Sequence, residues 1–63
     1  MTLYDEITGI ERRLRALVMH FNEDEQWEPG MRAQAAIVQV HNIFNGDFDS
    51  EQEYVPETEG KQP

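Results

Sequence analysis

Carboxylates are the side chains of this sequence that come closest to forming a chemical site. Four acids stand within six positions, at Glu23, Asp24, Glu25 and Glu28. An EF-hand calcium loop needs acids at alternate positions, a central glycine and a glutamate at its twelfth position. Here three of the acids are consecutive, so their side chains diverge. We therefore interpret the stretch as a turn between two helices and predict no metal and no cofactor.

The remaining reactive side chains do not combine into a catalytic set. The sequence has no Gly-rich phosphate loop, no HExxH motif and no cysteine, so the common phosphate, zinc and disulfide motifs are absent. His20 and His41 fall near the ends of two different predicted helices, where each favours the helix dipole. Carboxylates on exposed faces lack the burial that tunes an acid–base pair. We therefore expect no enzymatic activity and no small-molecule substrate.

The strongest pattern is a run of apolar residues spaced alternately four and three apart. It comprises Leu3, Ile7, Ile10, Leu14, Leu17 and Phe21. This spacing is an a/d seam of nearly three heptads. Thr2 and Asp5 are spaced as a capping box, and Glu11 stands four residues before Arg15, the better orientation for a helical ion pair. We predict a first helix from about residue 3 to 22.

A second apolar stripe follows the acidic turn. Ala33, Ile37, Val40 and Phe44 are spaced four, three and four apart. Pro29 suits the first turn of a helix, and Gly46 suits the position after its last residue. The predicted helix, about residues 29 to 45, is apolar over a wider arc than one partner helix covers. The short connection before it favours antiparallel neighbours.

The length of the chain limits how much of these stripes it can bury alone. Sixty-three residues make one small domain, whose core supplies only about 3–5 kcal/mol. Without disulfides, self-association is the leading source of further stability. We predict an all-α fold: an antiparallel helical hairpin over residues 1–46 that dimerises into a four-helix bundle. The expected core and dimer residues are Leu3, Ile7, Ile10, Leu14, Leu17, Phe21, Ala33, Ile37, Val40 and Phe44.

Charge is unevenly distributed along the chain. The net charge is −8: residues 1–46 carry seven acids and four arginines, and residues 47–63 carry six acids and Lys61. This acidity argues against nucleic acid or anionic lipid as the main partner. No run of about 18 apolar residues suggests a membrane span. We predict that residues 47–63 form a disordered acidic tail and that the protein is cytoplasmic in a bacterial host.

Several residues leave alternatives open. Gly9 is either tolerated within its helix, at a cost of about 1 kcal/mol, or marks the close approach of a neighbouring helix. Trp27 either covers the end of the hairpin core or is an exposed anchor for a partner. Phe48 and Tyr54 are further candidate partner contacts in the tail. The basic residues Arg12, Arg13, Arg15 and Arg32 either form a solvated surface or meet an acidic protein or RNA.

Two resemblances bear on function. The seam described above, the turn "NEDEQWEP" and the tail after Gly46 resemble in layout the plasmid copy-number regulator Rop, which implies an antiparallel dimeric four-helix bundle. No RNA-contacting face of that family can be matched here, so RNA binding is not carried over. The start "MTLYDEITGIERRLRAL", the length and the acidity resemble small early proteins of lambdoid phages from the exonuclease–excisionase region. That resemblance implies a non-enzymatic accessory acting on a host protein.

The sequence therefore predicts a small regulatory interaction protein encoded by a phage or mobile element. It is expected to dimerise and to modulate a host protein. One alternative is a Rop-like nucleic-acid regulator that uses the arginines. Another is an antitoxin-like protein whose tail binds a toxin.

Overall fold

The computed structural model describes residues 1–56 and consists of a helical hairpin. Helix α1 spans Leu3–Glu23, helix α2 spans Trp27–His41, and a short 3₁₀ helix covers Asn42–Asn45. Within the described residues the only β-type pairing is one isolated bridge between Thr2 and Glu53. The predicted all-α hairpin is confirmed. The second helix begins two residues earlier than predicted, and its last predicted turn is 3₁₀ rather than α.

The capping box predicted at the start of α1 is present. The Thr2 hydroxyl accepts a hydrogen bond from the Asp5 backbone N–H at 3.1 Å, and the Asp5 carboxylate accepts one from the Thr2 N–H at 3.1 Å. The carbonyl of Thr2 also accepts the first intrahelical bond, from the Glu6 N–H at 3.0 Å. These bonds satisfy groups that a helix N-terminus otherwise leaves to water.

The acidic stretch reverses the chain through residues 24–26. Glu25 adopts a left-handed conformation, with φ of 58°. Its N–H donates to the Asn22 carbonyl, and the Gln26 N–H donates to the Phe21 carbonyl at 2.8 Å. These two bonds and the left-handed residue are those of a Schellman motif. The turn interpretation is therefore correct, although a glutamate occupies the position that glycine usually takes.

Gly30 lies against the end of α1. A Cβ atom there would lie 3.3 Å from Asn22 Oδ1 and 3.4 Å from Phe21 Cβ, so the exposed Asn22 side chain would have to move slightly. At Gly9 a Cβ would meet only the flexible Arg13 guanidinium, at 3.7 Å. Within the hairpin, the close-approach alternative for Gly9 is therefore wrong, and Gly30 takes that role.

Little apolar surface is fully buried in the single chain. Of the predicted core residues, Ile7 and Ala33 are buried and Leu17 is 42 % exposed. The other predicted core residues are half-buried: Leu3, Ile10, Leu14, Phe21, Ile37, Val40 and Phe44. One chain therefore covers the predicted apolar stripes only in part.

The segment after the 3₁₀ helix returns to the start of α1. The Leu3 N–H donates to the Gln52 carbonyl at 2.9 Å, and the Tyr4 N–H donates to the Ser50 carbonyl at 2.8 Å. Residues 47–56 thus supply acceptors for two of the unpaired donors of α1. The structure does not confirm a disordered tail from residue 47 onward. The rest of the predicted tail, residues 57–63, lies outside the described residues.

Candidate functional site

The hairpin has two broad faces, one on each side of the plane that contains both helix axes. Ile7 and Glu11 are the buried residues of α1 next to α2, and Ala33 is a buried residue of α2 next to α1. Each residue advances about 100° around an α-helix. Residues rotated to one side of this inward direction therefore lie on one face of the hairpin, and residues rotated to the other side lie on the opposite face.

The first face, which we call the groove face, carries two shallow grooves that share Arg15 and Ile37. One groove is lined further by Val18, Met19 and Gln34. The other extends past Glu11, Val38, His41 and Asn42. Apolar and polar side chains alternate along this face, as they do in interfaces between proteins that also exist apart.

An acid lies beneath the groove face and links the two helices. The Glu11 side chain is only 7 % exposed, and its Oε2 lies 3.0 Å from Nδ1 of His41, which is 67 % exposed. The predicted pairing of Glu11 with Arg15 is not observed; the partner is on the other helix. Glu11 follows Ile7 by one helical turn, so its position relative to the apolar seam could have indicated burial.

The second face, which we call the seam face, consists of Ile10, Leu17, Ala36, Val40 and Ile43. On α1 these residues lie about 60–80° around the helix from Ile7, on the side opposite Arg15 and Met19. Leu17 and Ile43 are exposed, while Ile10, Ala36 and Val40 are half-buried. None of these five residues is charged or polar; four polar or charged residues border them on the outer side of the two helices: Glu6, Arg13, Arg32 and Gln39.

The three aromatic candidates for partner contact lie at opposite ends of the hairpin. Trp27 is the first residue of α2, beside the acidic turn, and is 59 % exposed. It does not cover the core, so the exposed alternative holds in the single chain. Phe48 stacks on Phe44, with ring centroids 6.5 Å apart. Tyr54 is half-buried and its N–H donates to the Met1 carbonyl at 2.8 Å.

The four arginines do not converge on one site. Arg12, Arg13 and Arg15 are exposed at three directions around α1, because successive residues point about 100° apart. Only Arg15 takes part in the groove face. Arg32 lies on α2 and pairs with Glu28, with Nη2 3.0 Å from Oε2. Within the single hairpin, the four arginines therefore do not form one continuous basic surface.

An ion pair joins the two ends of the described chain. The Met1 ammonium lies 2.7 Å from Glu53 Oε2. The hydrogen bond to Glu53 and the charge of that carboxylate raise the pKa of the ammonium above its ordinary value of 8.0, and the charge of Asp5 raises it further. Sequence spacing could not indicate this contact, because the partners are 52 residues apart.

Residues 1–56 contain no cluster of three or more histidine or carboxylate side chains placed to hold a metal ion. In the same residues, neither helix combines the length and apolar character that a membrane span requires. No protein-family model matches the chain, and no match is found among curated proteins or solved structures. The function has to be inferred from the two faces and the two ends of the hairpin.

Proposed function

We propose that this chain is a non-enzymatic regulatory protein, encoded by a phage or mobile element, that acts as a homodimer and modulates a host protein by binding it. One observation carries the proposal. Two apolar residues are buried within the described chain, whereas ten large apolar or aromatic side chains are exposed. They are Met1, Tyr4, Leu17, Met19, Trp27, Met31, Val38, Ile43, Phe48 and Val55.

Energetics support an interaction role for these side chains. Fully burying one large apolar side chain contributes roughly 1.5–3 kcal/mol. A core of this size leaves a small domain with only a few kcal/mol of stability. Covering the exposed residues with another protein surface therefore stabilises the hairpin as well as the complex. Exposed apolar patches on small domains commonly mark such interfaces.

The charge distribution supports a protein as the partner. Acids concentrate at the turn, in residues 23–28, and in the returning segment, in residues 47–53, at opposite ends of the hairpin. The groove face between them includes Arg15 and exposed Val38 and Met19. A mixed surface with an apolar centre and charged rims is typical of a protein–protein interface.

The nucleic-acid alternative has less support, because the arginines diverge and Arg32 is engaged by Glu28. Binding through phosphates would need several cations on one surface. The antitoxin alternative relies on a tail that is free to bind. Part of that tail, residues 50–54, instead hydrogen-bonds to the first residues of the chain.

Affinity capture from a bacterial lysate tests the proposal, with the full chain as bait and Val38→Glu and Trp27→Ala as matched variants. Both changed side chains are exposed, so the hairpin should keep its fold. We expect one host protein to be captured by the full chain and lost with at least one variant. The same captured proteins with all three baits would contradict recognition by these surfaces. Truncation at Gly46 is a poorer test, because it removes the acceptors that cap α1.

A further inference from the structure

The apolar seam of α1 divides into two lines of side chains spaced seven residues apart. The line formed by Ile7, Leu14 and Phe21 lies toward α2: Ile7 is buried, and Phe21 adjoins Gly30. The other line, formed by Ile10 and Leu17 after Leu3, lies on the flank of the helix, where Leu17 is exposed. A seven-residue spacing keeps a line of side chains against a neighbouring helix over its full length. One of the two lines therefore lacks its neighbour.

Helix α2 and the 3₁₀ helix repeat this arrangement on the same face. Ala33 and Val40 are seven residues apart; Ala33 is buried against α1, and half-buried Val40 lies between α1 and the seam face. Ala36 and Ile43, also seven apart, lie on the flank that belongs to the seam face, and Ile43 is exposed. Each half of the hairpin thus presents a second apolar line, and the two lines are adjacent. Together they form a surface two helices wide.

We propose that the seam face is the surface on which a second copy of this chain docks, so that the two hairpins form a four-helix bundle. The inference rests on the proposed function, because it specifies where the homodimer forms. In the dimer, the groove face remains accessible to solvent. The interface is isologous: the same five residues contribute from both copies.

Charge identifies the occupant as a copy rather than a basic or acidic protein. The net charge of the chain is −8, yet none of the five residues of the seam face is charged. Burying an unpaired charge of a partner against these five residues is unfavourable, and the charges that border them are of both signs, so a strongly basic or acidic partner gains no net attraction: Glu6, Arg13 and Arg32. The seam face of another copy is itself uncharged, apolar and spaced in sevens. It therefore matches both the chemistry and the periodicity that the face requires.

The relief of the face also fits a copy of itself. Leu17 of α1 is large and exposed, whereas Ala36 of α2 is small and half-buried. Large side chains from one helix that insert between residues of a facing helix are the basis of knobs-into-holes packing. Two copies can supply both parts to each other, whereas the groove face combines its apolar side chains with Arg15, Gln34 and His41.

Sedimentation equilibrium of the full chain tests the inference with a matched pair of variants. Leu17→Glu changes the seam face and Val38→Glu changes the groove face. Both replace an exposed apolar side chain on a helix with glutamate. We expect a dimeric wild-type protein at low micromolar concentration, a dimer dissociation constant about 100-fold higher for Leu17→Glu, and an unchanged constant for Val38→Glu. Circular dichroism verifies that each variant remains helical.

The outcomes separate the inference from the proposed function. A dimer that Val38→Glu weakens as much as, or more than, Leu17→Glu would overturn the seam face as the interface and leave the homodimer intact. A dimer that neither variant weakens would do the same. A wild-type protein that stays monomeric into the high micromolar range would overturn the homodimer itself. If Leu17→Glu loses its helical signal, Ile43→Glu replaces it in the comparison, because Ile43 is also exposed on the seam face.

Discussion

The two faces of the hairpin contain apolar side chains from the same two helices but differ in what lies between those side chains. On the groove face, Arg15 and Gln34 interrupt the apolar residues, and a buried acid reaches His41 across it. On the seam face, the apolar residues form two lines spaced in sevens, and Arg13 and Gln39 stand on the outer side of these lines. Permanent interfaces are more apolar than interfaces between proteins that meet and separate. In the proposed function, the seam face is therefore the one assigned to a second copy, and the groove face is the one left for a partner.

The largest expected effect comes from a residue that lies beneath both faces. Leu14 is half-buried on the line that faces α2. Leu14→Asp places a charge there, at a cost comparable to the total stability of a small domain, about 3–5 kcal/mol. We expect loss of both the helical signal and the dimer. Ala16→Asp, an exposed position on the same helix, should stay folded. A Leu14→Asp monomer that melts cooperatively would contradict this prediction.

Histidine substitutions test the contact between Glu11 and His41 at the groove face. His41→Ala leaves the Glu11 carboxylate buried without its partner, which should cost about 1–3 kcal/mol. The double variant Glu11→Leu/His41→Ala should recover most of that loss, since no charge stays buried. His20→Ala is the control: His20 also lies in the last turn of its helix beside a phenylalanine ring. Equal losses of chemical-denaturation stability for the two histidines would contradict the assigned role of Glu11.

Substitutions of two glycines test helix stability and how far the dimer interface extends. Gly9→Ala should raise the free energy of unfolding by about 1 kcal/mol, because a Cβ there meets only a flexible side chain. Gly30→Ala should raise it by less than Gly9→Ala, because a Cβ there crowds Asn22 Oδ1 and contacts Phe21, which offsets part of the gain in helix propensity. Urea denaturation measures both. If Gly9→Ala instead weakens the dimer, the second copy extends beyond the seam face to Gly9.

Substitutions in the turn should change the stability of the fold but not dimerisation, because the turn lies outside both faces. Glu25→Gly relieves a left-handed residue that carries a Cβ, and should stabilise the fold by about 0.5–1 kcal/mol. Glu23→Gly makes the same change in charge two residues earlier, at the last residue of α1, and should destabilise the fold by a similar amount. Thermal melts test both predictions, and the dimer dissociation constant of each variant is measured in parallel. A gain from Glu23→Gly or a loss from Glu25→Gly would contradict the Schellman assignment.

The smallest expected effect concerns the Met1–Glu53 pair at the other end. Its ammonium has a raised pKa in the folded chain. The pair therefore contributes fully below the ordinary value of 8.0, and the contribution is lost as the pH rises through the higher folded value. The melting temperature should fall slightly more above pH 8.0 in the wild type than in Glu53→Gln. Parallel profiles for the two proteins would show that the exposed pair adds no measurable stability.

Local signals in the sequence were sufficient for the helices and their ends. The alternate spacing from Leu3 to Phe21 predicted α1 to within one residue of its end, and the Thr2–Asp5 spacing predicted its capping box. The start of α2 was placed two residues too late because Pro29 was assigned to the first helical position, whereas it is the third. All the N–H groups of the first turn lack intrahelical partners, so proline fits either place.

The features that the sequence did not indicate depend on residues far apart in the chain. Glu11 matched a helical ion pair with Arg15, but the neighbouring helix brings His41 within 3.0 Å. Gly30 resembled an ordinary residue of a first helical turn, and only the approach of α1 gives it a packing role. The return of residues 50–54 to the start of α1 involves backbone groups, which carry no signature in side-chain type.

The sequence by itself determined the helical class, the positions of both helices, the reversal between them and an apolar surface wider than one chain can cover. These properties follow from periodicity, capping and composition, which act over a few neighbouring residues. Only the tertiary structure decided which line of the seam α2 covers and which stays open, and therefore that the hairpin has two unlike faces. That choice depends on how the second helix is rotated against the first. Packing across the hairpin sets this rotation, because every apolar stripe can be turned toward a neighbour in more than one way.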